Sequence, residues 1–201
     1  MIASRRALVL AAACLPLAAC DRLTGKPSAA AFHSTDITGA DFARKLELPD
    51  ADGQLRSLAD WKGKAVVVFF GYTQCPDFCP TTMAQLAAIK KTLGADGDRM
   101  QVVFITVDPE RDTPAVLKAY IANFGPDVVG LRGSAEQTAA VAKEFKVFYD
   151  KAPGAKPGSY SVDHSAASYV FDPQGRVRLY VQYGADSKAV AADLKQLLAT
   201  G

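Results

Sequence analysis

The chain is 201 residues long and 49% hydrophobic, which is enough to bury the core of one compact domain with sequence to spare. Its formal net charge is +2 with both signs interspersed, and no basic stripe marks a nucleic-acid partner. Most of the chemistry the composition offers rests on four cysteines and two histidines.

Residues 1–19 read as a targeting segment. Arg5 and Arg6 form a basic start, Ala7 to Leu17 is an apolar run too short to span a membrane, and Leu17-Ala18-Ala19-Cys20 supplies small residues before a cysteine. That ending resembles the bacterial lipobox, which implies cleavage before Cys20 and lipidation of its thiol. Cleavage there removes two arginines and no acid, so the +2 falls to neutral, and Cys14 is lost with them. Cys75 and Cys79 are then the free thiols of an exported protein, in a compartment that permits a disulfide. Asp21 after the lipidated position resembles an inner-membrane retention signal. The expected location is the bacterial inner membrane, lipid-anchored, with the domain facing the periplasm. Residues 20–38, which include His33, lack a sustained period and read as a flexible tether, so the globular domain is expected over 39–201.

From Gly39 onward the pattern is globular. Leu46–Leu48 and Gln54–Arg56 flank Asp50-Ala51-Asp52-Gly53 and predict a β-hairpin, and Ser57 to Trp61 predicts a helical turn. Ala65 to Phe70 is a continuous apolar, β-branched run, as expected of a strand buried on both faces. Met83, Leu86, Ile89 and Leu93 mark an amphipathic helix beginning near Pro80 or Thr81. Val102 to Val107 is a second buried strand. Thr113 and Pro114 open a helix running through Leu117, Tyr120, Ile121 and Phe124. Val128 to Leu131 predicts a short strand, and Ser134-Ala135-Glu136-Gln137 is a capping box opening the next helix. Ala167–Phe171 and Val177–Val181 flank the turn Asp172-Pro173-Gln174-Gly175, and Ser187 to Ala199 closes the chain as a helix. The alternation predicts an α/β fold, a thioredoxin-like mixed sheet flanked by helices, with hairpin and helix insertions.

In that order Cys75 and Cys79 lie between a buried strand and a helix N-terminus, where partial positive charge lowers thiol pKa values. Three readings follow. A structural disulfide would close too short a loop to constrain the unfolded chain much. A thiol–disulfide exchange site usually has C-x-x-C spacing, one residue shorter than here. A metal site would offer two soft thiolates to Cu(I), Zn(II) or an iron–sulfur cluster, and the cluster wants four cysteines. His164, just before the strand that opens at Ala167, is the candidate third ligand. A histidine there has an ordinary alternative role as a cap or core residue. With the two thiolates, however, it makes a low-coordinate S₂N set suited to copper.

Cys75-Pro76-Asp77-Phe78-Cys79-Pro80, Val107-Asp108-Pro109-Glu110-Arg111-Asp112-Thr113-Pro114 and Asp163-His164-Ser165 together resemble the SCO/SenC family of copper chaperones, over roughly Asp41 to Ala199. The resemblance implies a membrane-anchored thioredoxin-like domain holding one copper, as Cu(I) or Cu(II), through Cys75, Cys79 and His164. It further implies delivery of that copper to the dinuclear centre of cytochrome c oxidase subunit II, with other periplasmic copper chaperones as possible partners. Alternatively, Cys75 and Cys79 form a redox-active pair, Cys75 attacking and Cys79 resolving, that reduces the cysteines of that subunit or serves redox signalling. Asp108 and Asp112 are expected at a strand end and a helix start rather than on the metal. Asp163 is a candidate for orienting His164 or for binding copper in its oxidised state, with a solvated carboxylate as the ordinary alternative, and Asp77 is a candidate for tuning the thiolates.

Overall fold

The computed structural model describes residues 31–154 and 158–200, so the targeting segment, Cys14 and Cys20 lie outside the described residues. Two parallel strands make the centre of the sheet: β4 (Ala65–Gly71) and β5 (Met100–Thr106) pair from Ala65↔Met100 to Gly71↔Thr106. All fourteen of their residues are buried, which is why their sequence shows unbroken apolar runs instead of alternation. Helix α1 (Phe78–Thr92) makes the crossover between them and seats Met83, Leu86 and Ile89 in the core.

The rest of the sheet forms around this pair. β6 (Val129–Leu131) extends it in parallel beyond β5. β9 (Ser168–Phe171) runs antiparallel along the other side of β4, and β10 (Val177–Val181) pairs with β9. β1 (Thr35–Asp36) closes that edge, giving the order β1-β10-β9-β4-β5-β6. Helices α2 (Pro114–Ile121), α3 (Ala135–Glu144) and α4 (Ser187–Ala199) complete a mixed sheet flanked by helices, which is a thioredoxin-like fold. None of the helices among the described residues is long and apolar enough to cross a membrane.

Local signals place most boundaries. Thr113 Oγ1 accepts the Val116 amide with Pro114 at the first helical position. Ser134 and Gln137 exchange the two bonds of a capping box at 3.2 and 2.8 Å. The hairpin β2 (Glu47–Pro49) and β3 (Leu55–Ser57) turns where Asp50 Oδ1 accepts the amides of Asp52 and Gln54, both at 2.9 Å. A single 3₁₀ turn, Leu58–Trp61, follows it.

Four expectations need adjusting. The globular part starts earlier than Gly39: Thr35 and Asp36 pair with Tyr180 and Leu179, and the backbone amides of His33 and Ser34 both donate to the buried Asp193 at 2.8 Å. Helix α1 begins at Phe78 rather than at Pro80 or Thr81, so Cys79 stands inside its first turn. Pro80 is tolerated there because first-turn amides have no intrahelical acceptor. Helix α2 ends at Ile121, with Phe124 beyond it packed on Tyr120 at 5.1 Å. Finally, β7 (Tyr149–Pro153) and β8 (Tyr160–His164) form a hairpin that, among the described residues, pairs only within itself. His164 therefore ends a strand where a loop was expected. These strands are mostly exposed or half-buried, so no apolar run announced them.

Candidate metal centre

Gly71, at the carboxyl end of β4, is where the site begins. A Cβ at this position would stand 2.7 Å from Cys79 Sγ and 3.0 Å from the rings of Phe104 and Phe69, so only glycine lets the thiol lie this close to the strand. The chain then turns through Tyr72 to Gln74 into α1. The Cys75 amide donates to the Tyr72 carbonyl at 3.2 Å, and the Cys79 amide donates to Cys75 Sγ at 3.4 Å. Both cysteines are free thiols, Cys79 fully buried and Cys75 8% exposed.

His164 comes from β8. Its Nε2 stands 3.4 Å from Cys79 Sγ, and its Nδ1 lies 3.0 Å from the Ser165 carbonyl. A carbonyl only accepts, so Nδ1 donates to it, and Nε2 is the ring atom turned toward the sulfurs. The edges of Phe69 and Tyr72 hold the imidazole, with centroids 6.1 and 5.9 Å away. The two sulfurs and one ring nitrogen all lie within 4.8 Å of one another, a juxtaposition that spans 85 residues of chain. Donors bound to one ion at about 2.0–2.3 Å lie at most about 4.6 Å apart, so this spread needs only slight closure. Soft sulfur and imidazole in a three-donor set suit copper better than a structural zinc, which takes four protein ligands.

The two thiols differ. A hydrogen bond from the Cys79 thiol is the largest influence on Cys75. Against the cost of burial, and with help from His164 and the Cys79 and Asp77 amides, it brings the Cys75 pKa down to about 4. Donating that same bond, together with burial, pushes the Cys79 thiol up. Cys75 is thus the thiolate and Cys79 its proton-bearing neighbour.

The acidic residues fall outside the donor set. Asp163 is exposed, opposite Asp150 in the hairpin, and the Ser165 carbonyl rather than Asp163 orients the imidazole. Asp77 is the exposed N-cap position of α1 and reaches Cys75 through its backbone amide. Asp108 and Asp112 are buried in structural roles, as expected. Asp112 accepts Thr106 Oγ1 at 2.6 Å, Thr73 Oγ1 at 2.6 Å and the Thr73 amide at 3.0 Å, which ties the cysteine loop to the end of β5. Burial raises its pKa despite those three donors. His33, the other histidine, lies at the opposite end of the sequence and takes no part in the cluster.

Three residues that shape the site were not singled out in the sequence: Gly71, Tyr72 and Tyr160. Only Gly71 carried a signal, as a glycine ending an apolar β-branched run.

The SCO1/SenC family profile matches residues 34–199. The chain is 37% identical over 171 residues to "Protein SCO2 homolog, mitochondrial" of Bos taurus, covering 84% of this chain but only 63% of the bovine protein's own length. Among solved structures it is similar to copper-bound ScoI of Bradyrhizobium japonicum, with a TM-score of 0.69 and 37% identity over 76% of this chain and 97% of that one. Copper-bound yeast Sco1 is similar with a TM-score of 0.70 and 33% identity over 78% of this chain and 88% of that one.

Proposed function

The chain belongs to the SCO1/SenC family, and from that premise we propose that it is a copper-binding metallochaperone. One observation carries the reading: two thiol sulfurs and the Nε2 of His164 converge within 4.8 Å, in a chain similar to proteins whose structures hold copper. Cys75, Cys79 and His164 would hold the ion, the thiolates favouring Cu(I) and the imidazole adding the nitrogen donor that Cu(II) prefers. The cargo is meant for the dinuclear copper centre of cytochrome c oxidase subunit II, and the family resemblance supports that destination. Cys20, cleaved and lipidated, would tether the domain to the periplasmic face of the inner membrane; the lipobox-like end of the targeting segment supports this.

Metal analysis of reduced, anaerobic protein after exposure to Cu(I) and to Cu(II) tests the reading, with Cys75, Cys79 and His164 replaced in turn. One copper per chain, lost on replacing either cysteine, is expected. Retention of copper in a Cys75→Ser, Cys79→Ser double variant would sink it. For the anchor, Cys20→Ala should release soluble protein or leave an unprocessed precursor, and unchanged membrane extraction and electrophoretic mobility would refute it.

A second reading draws on the asymmetry of the thiols. With its pKa down at about 4, Cys75 is a thiolate at neutral pH and can attack a target disulfide, forming a mixed disulfide and expelling one target thiolate. Cys79, once deprotonated, would attack Cys75 in that mixed disulfide, leaving Cys75–Cys79 oxidised and the target reduced by two electrons. A reduction potential above that of the target disulfide would rule this activity out.

A further inference from the structure

Arg111 sits where the two halves of the metal centre meet. Its Nε bonds to Asp108 Oδ2, and Nη1 donates to the Tyr160 carbonyl at 2.7 Å and to Gln74 Oε1, one residue before Cys75, at 3.3 Å. The guanidinium carbon lies 3.6 Å from the Tyr160 ring centroid and 5.6 Å from that of Tyr72. The Tyr160 hydroxyl closes the circuit by donating to Asp108 Oδ1 at 2.9 Å. Asp108 is itself 1% exposed and donates its amide to Thr106 Oγ1 at 3.0 Å.

Tyr160 opens β8 and His164 ends it, so the two lie on the same face of one strand. The β7–β8 hairpin pairs with no strand of the main sheet, and an isolated two-stranded hairpin is marginal in water. Besides its short link to β9 and the burial of Val162 in the core, side-chain contacts locate it. The Arg111 circuit supplies them at the Tyr160 end, and Lys151 adds an exposed pair to Glu110 at 2.7 Å. At the other end the His164 ring meets Phe69 and Tyr72.

We infer that Arg111 is a positioning residue: through Tyr160 it sets where His164 Nε2 stands relative to the Cys75–Cys79 sulfurs. Asp112, one residue on, holds the cysteine loop through Thr73, so a single short segment gauges both halves of the centre. The consequence for copper rests on the metallochaperone reading, whereas the geometric claim does not. The planar guanidinium is what the position requires, since it stacks on a ring while bonding a carboxylate and a carbonyl, and an ammonium cannot do all three.

The test compares Arg111→Ala, His164→Ala and the double variant. Cu(II) affinity for Arg111→Ala should fall about tenfold, the lower end of what losing an outer-shell partner costs, with the Cu(II) spectrum moving toward that of His164→Ala. Cu(I), held by two thiolates, should be nearly unaffected. In the double variant the Arg111 replacement should add no further loss, because it acts through the imidazole. Full additivity, or a wild-type Cu(II) spectrum in Arg111→Ala, overturns the inference. A parallel measurement needs no metal. In apo protein, Arg111→Ala should shift the His164 ring resonances and weaken their cross-relaxation with Phe69 and Tyr72. Arg111→Lys reads the same change should the alanine variant fail to fold, and unchanged His164 resonances in a folded variant refute the positioning role. If instead wild-type protein takes up no copper while these resonances still move, the metallochaperone reading fails and the positioning role stands.

Discussion

The cysteine half of the centre is built on the most deeply buried part of the molecule. Cys75 and Cys79 follow β4, whose seven residues are all buried, and Cys79 is locked into the first turn of α1 over Gly71. The histidine half hangs on a hairpin whose strands are mostly exposed or half-buried and which joins no other strand among the described residues. The thiols are held close by four residues of covalent chain and by main-chain bonds, whereas the imidazole is held by ring edges, one carbonyl and the Arg111 circuit. The lesson is one of unequal rigidity. A preorganised pair of sulfurs costs little further ordering on binding a soft cation, while the third donor depends on the contacts of a hairpin outside the main sheet.

Oxidation should give the largest effect and touches the rigid half alone. A Cys75–Cys79 disulfide removes both thiolates, so copper uptake should vanish entirely and return on reduction. Equal copper stoichiometry in oxidised and reduced protein would break the comparison at its base. His164→Ala should come next. Cu(II) affinity is expected to drop by about 100-fold or more, beyond what loss of an outer-shell partner costs because His164 is itself a donor, while Cu(I) affinity changes little and the fold stays intact. A Cu(I) loss as large as the Cu(II) loss would make the halves equal partners, and an unchanged Cu(II) spectrum would leave His164 a structural residue.

The asymmetry within the rigid half can be read by labelling. Between pH 8 and pH 5 an ordinary thiol loses nearly all its thiolate, falling about tenfold per unit. Cys75, with its pKa down at about 4, should react with iodoacetamide at a nearly constant rate over that range and slow only as the pH falls through about 4. Mass spectrometry should find Cys79, fully buried and with its pKa raised, unlabelled in folded protein. Gly71→Ala should have the smallest consequence. Its new methyl group would press on Cys79 Sγ and two phenylalanine rings, so thermal unfolding should report a loss of about 1–3 kcal/mol. Neutral stability with an unperturbed Cys75 labelling profile would show the cysteine half to be softer than argued.

Much of this protein was already decided by local sequence. The runs Ala65 to Phe70 and Val102 to Val107 read as strands covered on both faces, as β4 and β5 are, and Thr113-Pro114 and Ser134–Gln137 started their helices where the caps stand. Cys75 and Cys79 were legible as a pair because their nearness is covalent. The start of α1 at Phe78 was missed, since Pro80 suggested a first position and is accommodated two residues later in the same turn. The β7–β8 hairpin was missed because its residues bury too little to leave a period. His164 was chosen in the sequence by elimination and by resemblance; only the tertiary structure carried its Nε2 to 3.4 Å from Cys79 Sγ. The roles of Asp108, Arg111 and Tyr160 likewise required the folded chain. A carboxylate, a guanidinium and a phenol up to 52 residues apart have no local pattern in common, and what unites them is a contact made only once the sheet has formed and the hairpin has been laid against it.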